Sequence, residues 1–130
     1  DRPVRNLRAF PAQRAATEAV RVLIEQLQAG DLQAWLDDKS RARPVILDVR
    51  EPWEHEVCSI PDSMLLPMQQ IPTRLQELPT DADIVVVCHH GMRSLQVAQF
   101  LKQSGLERVF NLSGGIAAWA AQVDPDMPQY

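Results

Sequence analysis

The chain has 130 residues, of which 45% are hydrophobic and 23% charged, with a formal net charge of −4. That size suits one domain with a real core, and the composition excludes a disordered chain, a collagen-like repeat and a disulfide-stapled miniprotein. No apolar run approaches the roughly 18 residues of a membrane span, and the acidic balance argues against a general nucleic-acid binder.

The first 21 residues are the exception to that balance, with five Arg against Asp1 and Glu18. Arg14 to Leu27 admits either a helix or a strand. Ala16, Val20, Leu23 and Leu27 fall at helical spacing, yet Val20 to Leu27 is apolar enough for an extended run. From Gly30 the pattern clears: Leu32, Trp35 and Leu36 make one helical face, with Asp31 in the first turn and an end near Lys39. Pro44-Val-Ile-Leu-Asp48 has no polar alternation, as expected of a parallel strand covered on both faces. A short helix is expected around Trp53 to Val57, and Met64-Leu-Leu66 is a short strand closed by Pro67. Ile71, Leu75 and Leu78 predict a further helix with Pro72 in its first turn and Pro79 as its stop. Asp83-Ile-Val-Val-Val87 is the strongest strand. Arg93 to Ser104 is a helix with Val97, Ala98 and Leu101 inward and Gly105 as its C-terminal cap. Val109-Phe-Asn111 is a strand, and Gly114-Gly115 opens a last helix through Trp119 to Gln122. Strands alternating with helices predict an α/β domain with a mostly parallel sheet and helices on both faces.

Val85-Val-Val-Cys88-His-His-Gly91-Met-Arg93-Ser94 carries the chemistry. A central strand delivers Cys88 to its C-terminal end, where open α/β sheets bind ligands. The following helix supplies unpaired N–H groups and the positive end of its dipole, and Arg93 adds a charge. Both favour thiolate, the nucleophilic form. Gly91 permits the backbone angles that curl the loop into an anion-binding nest. The competing reading is a buried cysteine acting as a small hydrophobe, but the polar continuation after Cys88 makes a poor core segment.

At this point the sequence resembles the rhodanese-like sulfurtransferase family. Asp48-Val-Arg-Glu-Pro-Trp-Glu54, Ile60-Pro61 with Leu66-Pro67, Cys88 to Ser94, and Asn111-Leu-Ser-Gly-Gly-Ile-Ala-Ala-Trp119 match its motifs in order. The resemblance implies a five-stranded parallel sheet and a domain over 24–122, leaving 1–23 as an N-terminal extension and 123–130 as an irregular tail laid on the surface. It implies that Cys88 is catalytic, taking sulfane sulfur as a persulfide from a small donor and passing it to a thiophilic acceptor, with a protein acceptor among the options. The backbone N–H groups of His89, His90, Gly91, Met92, Arg93 and Ser94 would hold the sulfur anion. Sulfur is then both nucleophile and leaving group, so no metal or organic cofactor is expected. Cys88 through Arg93 is six residues, one fewer than the loop of the fold-related dual-specificity phosphatases, which favours sulfur over a phosphate oxyanion. Two departures stand out. Cys58-Ser-Ile-Pro-Asp62 replaces the common Gly-His-Ile-Pro-Gly. His89 and His90 stand where thiosulfate-using members often carry Arg or Lys, so a dianionic donor should turn over faster as pH falls from about 7.5 to 6.

Arg50 could help to bind the anion, although an Asp48–Arg50 pair bracing the loops is the preferred reading. Glu51 and Glu54 read as exposed or paired with Arg; Trp35, Trp53 and Trp119 as core or rim packing; Ser94 as a donor to the Cys88 sulfur or simply the helix start. His55, Cys58, Cys88, His89 and His90 are enough ligands for zinc, but their spacing matches no metal motif. Cys58 could instead be a resolving thiol for Cys88. Competing functions are a phosphatase or arsenate reductase of the same fold, and a non-catalytic sulfur-carrier or interaction module. No nucleic-acid or membrane partner is expected, and with no leader visible in these residues the expected location is cytoplasmic.

Overall fold

The structure, a computed structural model, describes residues 23–130. The N-terminal extension therefore lies outside the described residues apart from Leu23. The ambiguity at its end resolves into a strand, β1 (Glu25–Leu27), followed by helix α1 (Ala29–Asp37). Gln28 and Asp31 close a reciprocal cap on that helix. Next come β2 (Val45–Asp48), α2 (Pro52–Val57), β3 (Met64–Leu65), β4 (Ile84–Val87), α3 (Met92–Gln103), β5 (Val109–Leu112) and α4 (Gly115–Gln122). The five strands form one sheet in the order β1-β5-β4-β2-β3, and every pairing is parallel.

The strand alternation sorts the core into two layers. On β4, Ile84 and Val86 pack under α3 with Val97, Ala98 and Leu101. Val85 and Val87 face the other way, against Leu32 and Trp35 of α1 and Ile116 and Trp119 of α4. Two-sided burial is why β2 and β4 read as unbroken apolar runs. Among the described residues no helix is long and apolar enough to cross a membrane.

The helix expected over Ile71–Leu78 is absent. Two short 3₁₀ turns, Met68–Gln70 and Leu75–Glu77, stand there instead. Ile71 and Leu78 are buried as their spacing suggested. The segment winds tighter than an α-helix, with Ile71, Glu77 and Leu78 each bonding three residues back. The tail also differs from expectation. It is irregular, but Met127 is buried in the α1/α4 layer and Tyr130 reaches the end of the sheet that carries Cys88.

Asp62, at a family glycine position, has φ of 64°, the left-handed conformation glycine adopts easily. The Ser63 N–H still closes the turn on the Ile60 carbonyl at 3.2 Å. The turn thus places backbone strain on Asp62.

Candidate functional site

Cys88 follows β4 directly and has the parity of Ile84 and Val86, so its side chain enters the layer beneath α3. It is 1% exposed, but polar groups meet the sulfur. The Gly91 N–H donates to Sγ at 3.1 Å, and Ser94 Oγ lies 3.3 Å from it. The 88–93 loop is pinned from outside. The carbonyls of Cys88 and His89 accept the N–H groups of Ile116 and Ala117 at the start of α4, at 2.8 and 3.0 Å.

Two glycines make this closeness possible. Gly91 has φ of 102° and caps α3. Gly115 has φ of 60°, and a Cβ there would collide with the Cys88 carbonyl and lie 2.5 Å from that of His89. Leu95 is the first residue of α3 to find a helical acceptor, the Gly91 carbonyl. The N–H groups of Met92, Arg93 and Ser94 therefore remain uncommitted at the loop rim. Of the loop N–H groups expected to hold sulfur, Gly91 touches Sγ in this state.

Arg93 does not stand free beside the cysteine. Its guanidinium forms two 2.9 Å bonds with the Glu54 carboxylate of α2. Glu54 also accepts from the Glu51 N–H at 2.8 Å, closing the cap of α2, and from the Tyr130 hydroxyl at 2.9 Å. The Arg93 bonds hold the Glu54 carboxyl far below its usual 4.5, at about 2. From sequence Glu54 reads as exposed or paired with an unspecified Arg, and Tyr130 carries no local signal.

Arg50, considered from sequence for anion binding or for bracing the loops, is held on all sides by protein groups. Its side chain is fully buried, and Asp48 grips Nε and Nη2 at 2.9 and 2.7 Å. Nη2 also donates to the Cys58 carbonyl at 2.6 Å, and Nη1 to the Glu54 carbonyl and the Tyr130 hydroxyl at 3.3 and 2.9 Å. These bonds tie Arg50 to α2, to Cys58 and to the tail. Asp48 carries His55 as well, at 3.0 Å from Nδ1.

His89 and His90 stack at 4.0 Å between ring centroids, and the Tyr130 ring stacks on the far side of His89 at 4.1 Å. Burial and the neighbouring His90 push the His89 pKa down. Trp53, read as packing, is more than half exposed and meets Tyr130 edge-on, whereas Trp35 and Trp119 are core residues. Cys58 lies in the hydrophobic layer opposite that of Cys88, which is not the placement of a disulfide pair. Among the described residues no three His, Cys, Asp or Glu side chains cluster to hold a metal.

Asn111 is a site residue that sequence reading noticed only as part of a motif. It sits on β5, buried, with Oδ1 2.5 Å from Ser94 Oγ. Its amide nitrogen donates to the Gly91 carbonyl at 3.2 Å and to Gln26 Oε1 of β1 at 2.9 Å. A cavity of about 180 Å³ beside the loop is lined by Gln26, His90, Gly91, Met92 and Asn111 among others.

The model of the rhodanese-like domain matches residues 28–122. The chain belongs to the rhodanese-like family. A sulfurtransferase of Allochromatium vinosum is 47% identical over 76 residues, covering 58% of this chain and 71% of that protein. The adenylyltransferase and sulfurtransferase MOCS3 of Arabidopsis thaliana is 32% identical over 108 residues, covering 71% of this chain but only 23% of that protein. In structure, a rhodanese-related protein from Thermoplasma volcanium superposes with a TM-score of 0.69 at 31% identity, over 76% of this chain and 93% of its own. Within this rhodanese-like domain, the six-residue turn pinned against α4 is the feature that presents Cys88.

Proposed function

We propose that this rhodanese-like protein is a sulfurtransferase in which Cys88 carries sulfane sulfur as a persulfide. The observation that bears most weight is the setting of the Cys88 sulfur. It sits at a strand end inside a short loop, with the Gly91 N–H and the Ser94 hydroxyl on Sγ and three uncommitted helix N–H groups at the rim. Such donors stabilise negative charge on sulfur. The sulfurtransferase names of its relatives support the same reading.

In the first step the Cys88 thiolate attacks the outer sulfur of thiosulfate or of a persulfide. A Cys–S–S⁻ bond forms, the donor's S–S bond breaks, and sulfite or a thiolate leaves with the electron pair. In the second step an acceptor nucleophile takes the outer sulfur and Cys88 leaves as thiolate. His89, His90, Gly91, Met92, Arg93 and Ser94 form the sulfur-holding loop, while Asp48 and Arg50 support it from behind. The acceptor is a thiophile, either small or a protein thiol.

Incubation with thiosulfate, followed by intact-protein mass spectrometry and then cyanide, tests this directly. Wild type should gain one sulfur, about 32 Da, and release thiocyanate, whereas Cys88→Ser should do neither. Hydrolysis of an aryl phosphate without a sulfur adduct from any sulfane donor would overturn the proposal in favour of a phosphatase. Neither activity would leave an interaction module.

A further inference from the structure

Ser94 has one hydroxyl proton and two acceptors. Asn111 Oδ1 lies 2.5 Å from its oxygen and Cys88 Sγ lies 3.3 Å from it. Asn111 cannot turn its amide to relieve this competition. Its nitrogen is fixed by the Gly91 carbonyl and by Gln26 Oε1, so Oδ1 must face Ser94. Ser94 and Asn111 are both buried, so the shared hydroxyl proton is the donor for which the two acceptors compete.

We propose that Asn111 is a positioning residue that controls the charge on the Cys88 sulfur by competing with it for the Ser94 hydroxyl proton. When Sγ is a thiol, the Ser94 proton lies on Asn111 Oδ1 and the serine oxygen faces the S–H. When Sγ is a thiolate, the hydroxyl turns to the sulfur and Oδ1 is left without a donor. When Cys88 carries a second sulfur, the negative charge moves to the outer atom, Sγ becomes a poor acceptor, and the proton returns to Asn111. The pair Ser94–Asn111 thus disfavours the empty thiolate relative to the loaded persulfide. The hydroxyl rotation itself changes no covalent bond; the Cys88 S–H proton leaves to solvent when the thiolate forms, and the outer sulfur arrives by the transfer step given above. The inference rests on the reading of Cys88 as the sulfur-accepting nucleophile, but its test does not need sulfur transfer.

The charged and titratable groups on the surrounding elements are Arg93 and Lys102 on α3, Glu54, His55 and Glu56 on α2, Glu25 on β1, Asp48 and Arg50 at the end of β2, His89 and His90 in the loop, and Tyr130. β4, β5 and α4 carry none. All of these stay in place in the variants below.

The experiment is the pH profile of iodoacetamide alkylation of Cys88 in the full chain, with peptide mass analysis separating it from Cys58. Asn111→Leu removes the competing acceptor and should speed alkylation at pH 7 by about three- to tenfold, with the profile moved to lower pH. Asn111→Asp keeps an acceptor and adds charge, so it should move the profile the opposite way. In the Ser94→Ala background, Asn111→Leu should have no further effect, because the shared proton is gone. Opposite movements of the Leu and Asp variants cannot come from simple loosening of the fold, which would push both in one direction. If the Leu variant does not fold, an unmoved profile in Asn111→Asp overturns the proposal. So does an Asn111→Leu effect that persists without Ser94. Failure to load sulfur from thiosulfate would count against the function proposed above and leave this result standing.

Discussion

Replacing Glu54 by Gln should destabilise the protein in a pH-dependent way. The Glu54 carboxylate is 5% exposed and accepts four hydrogen bonds: two from Arg93, one from Tyr130 and one from the Glu51 N–H. Its pKa falls from 4.5 to about 2, chiefly because of Arg93. At about 1.36 kcal/mol per pH unit this corresponds to on the order of 3 kcal/mol. Arg93 is 37% exposed, so solvent screening trims the figure to about 2 kcal/mol. A carboxyl with a depressed folded pKa contributes stability that is fully present above its unfolded value and lost as pH falls through the folded one. The wild type should therefore lose this contribution between about pH 4.5 and 2, while Glu54→Gln lacks it throughout. Urea unfolding at a series of pH values should show a gap of about 2 kcal/mol at pH 7 that closes towards pH 2. Arg93→Gln should lower stability similarly, and the double variant should cost much less than the sum. A gap that stays constant with pH, or additive single losses, would show that this ion pair does not join α2 to the end of the Cys88 loop.

Three further outcomes follow from the geometry. Tyr130 is the single tyrosine of the chain, and burial pushes its pKa up to about 12. Tyrosinate absorbance should therefore be absent near pH 10 while the protein stays folded, and half-ionisation near 10 would mean that the tail is not docked. A raised pKa of this kind also predicts stability that declines as pH climbs from 10 towards about 12. Asp62→Gly should raise stability by about 0.5–1 kcal/mol, because it relieves a left-handed non-glycine residue and sacrifices only a 4.0 Å surface pair with Arg43; a lower melting temperature would contradict this. Because burial and His90 push the His89 pKa down, its help with a dianionic donor should set in at lower pH than a free imidazole would give. The ratio of wild-type to His89→Gln turnover isolates this effect from Cys88 ionisation, and a ratio that does not change with pH would remove His89 from donor binding.

The parts of this protein that could be read from sequence are those encoded by neighbours along the chain. Apolar runs at 45–47 and 84–87 announced two-sided strands, the period of α3 was visible, and a cysteine at the end of β4 followed by a glycine-bearing loop gave the site its position. What sequence reading missed depends on contacts between distant segments. Ile71, Leu75 and Leu78 spelled a helix because their i, i+4, i+7 spacing fits 3.6 residues per turn, yet two separate 3₁₀ turns bury Ile71 and Leu78 equally well. Arg93 looked like a bare charge beside sulfur because Glu54 is 39 residues away in sequence. Tyr130 looked like loose tail because its partners, Arg50 and Glu54, lie 80 and 76 residues away. These long-range pairs alter the chemistry rather than the architecture. With Arg93 neutralised by Glu54 and Arg50 by Asp48, neither arginine is an uncompensated charge for an incoming donor. In the reaction proposed for Cys88, anion binding would then fall to N–H groups, a hydroxyl and the two histidines. Such a site suits a single polarisable sulfur better than a dianion that needs full countercharge.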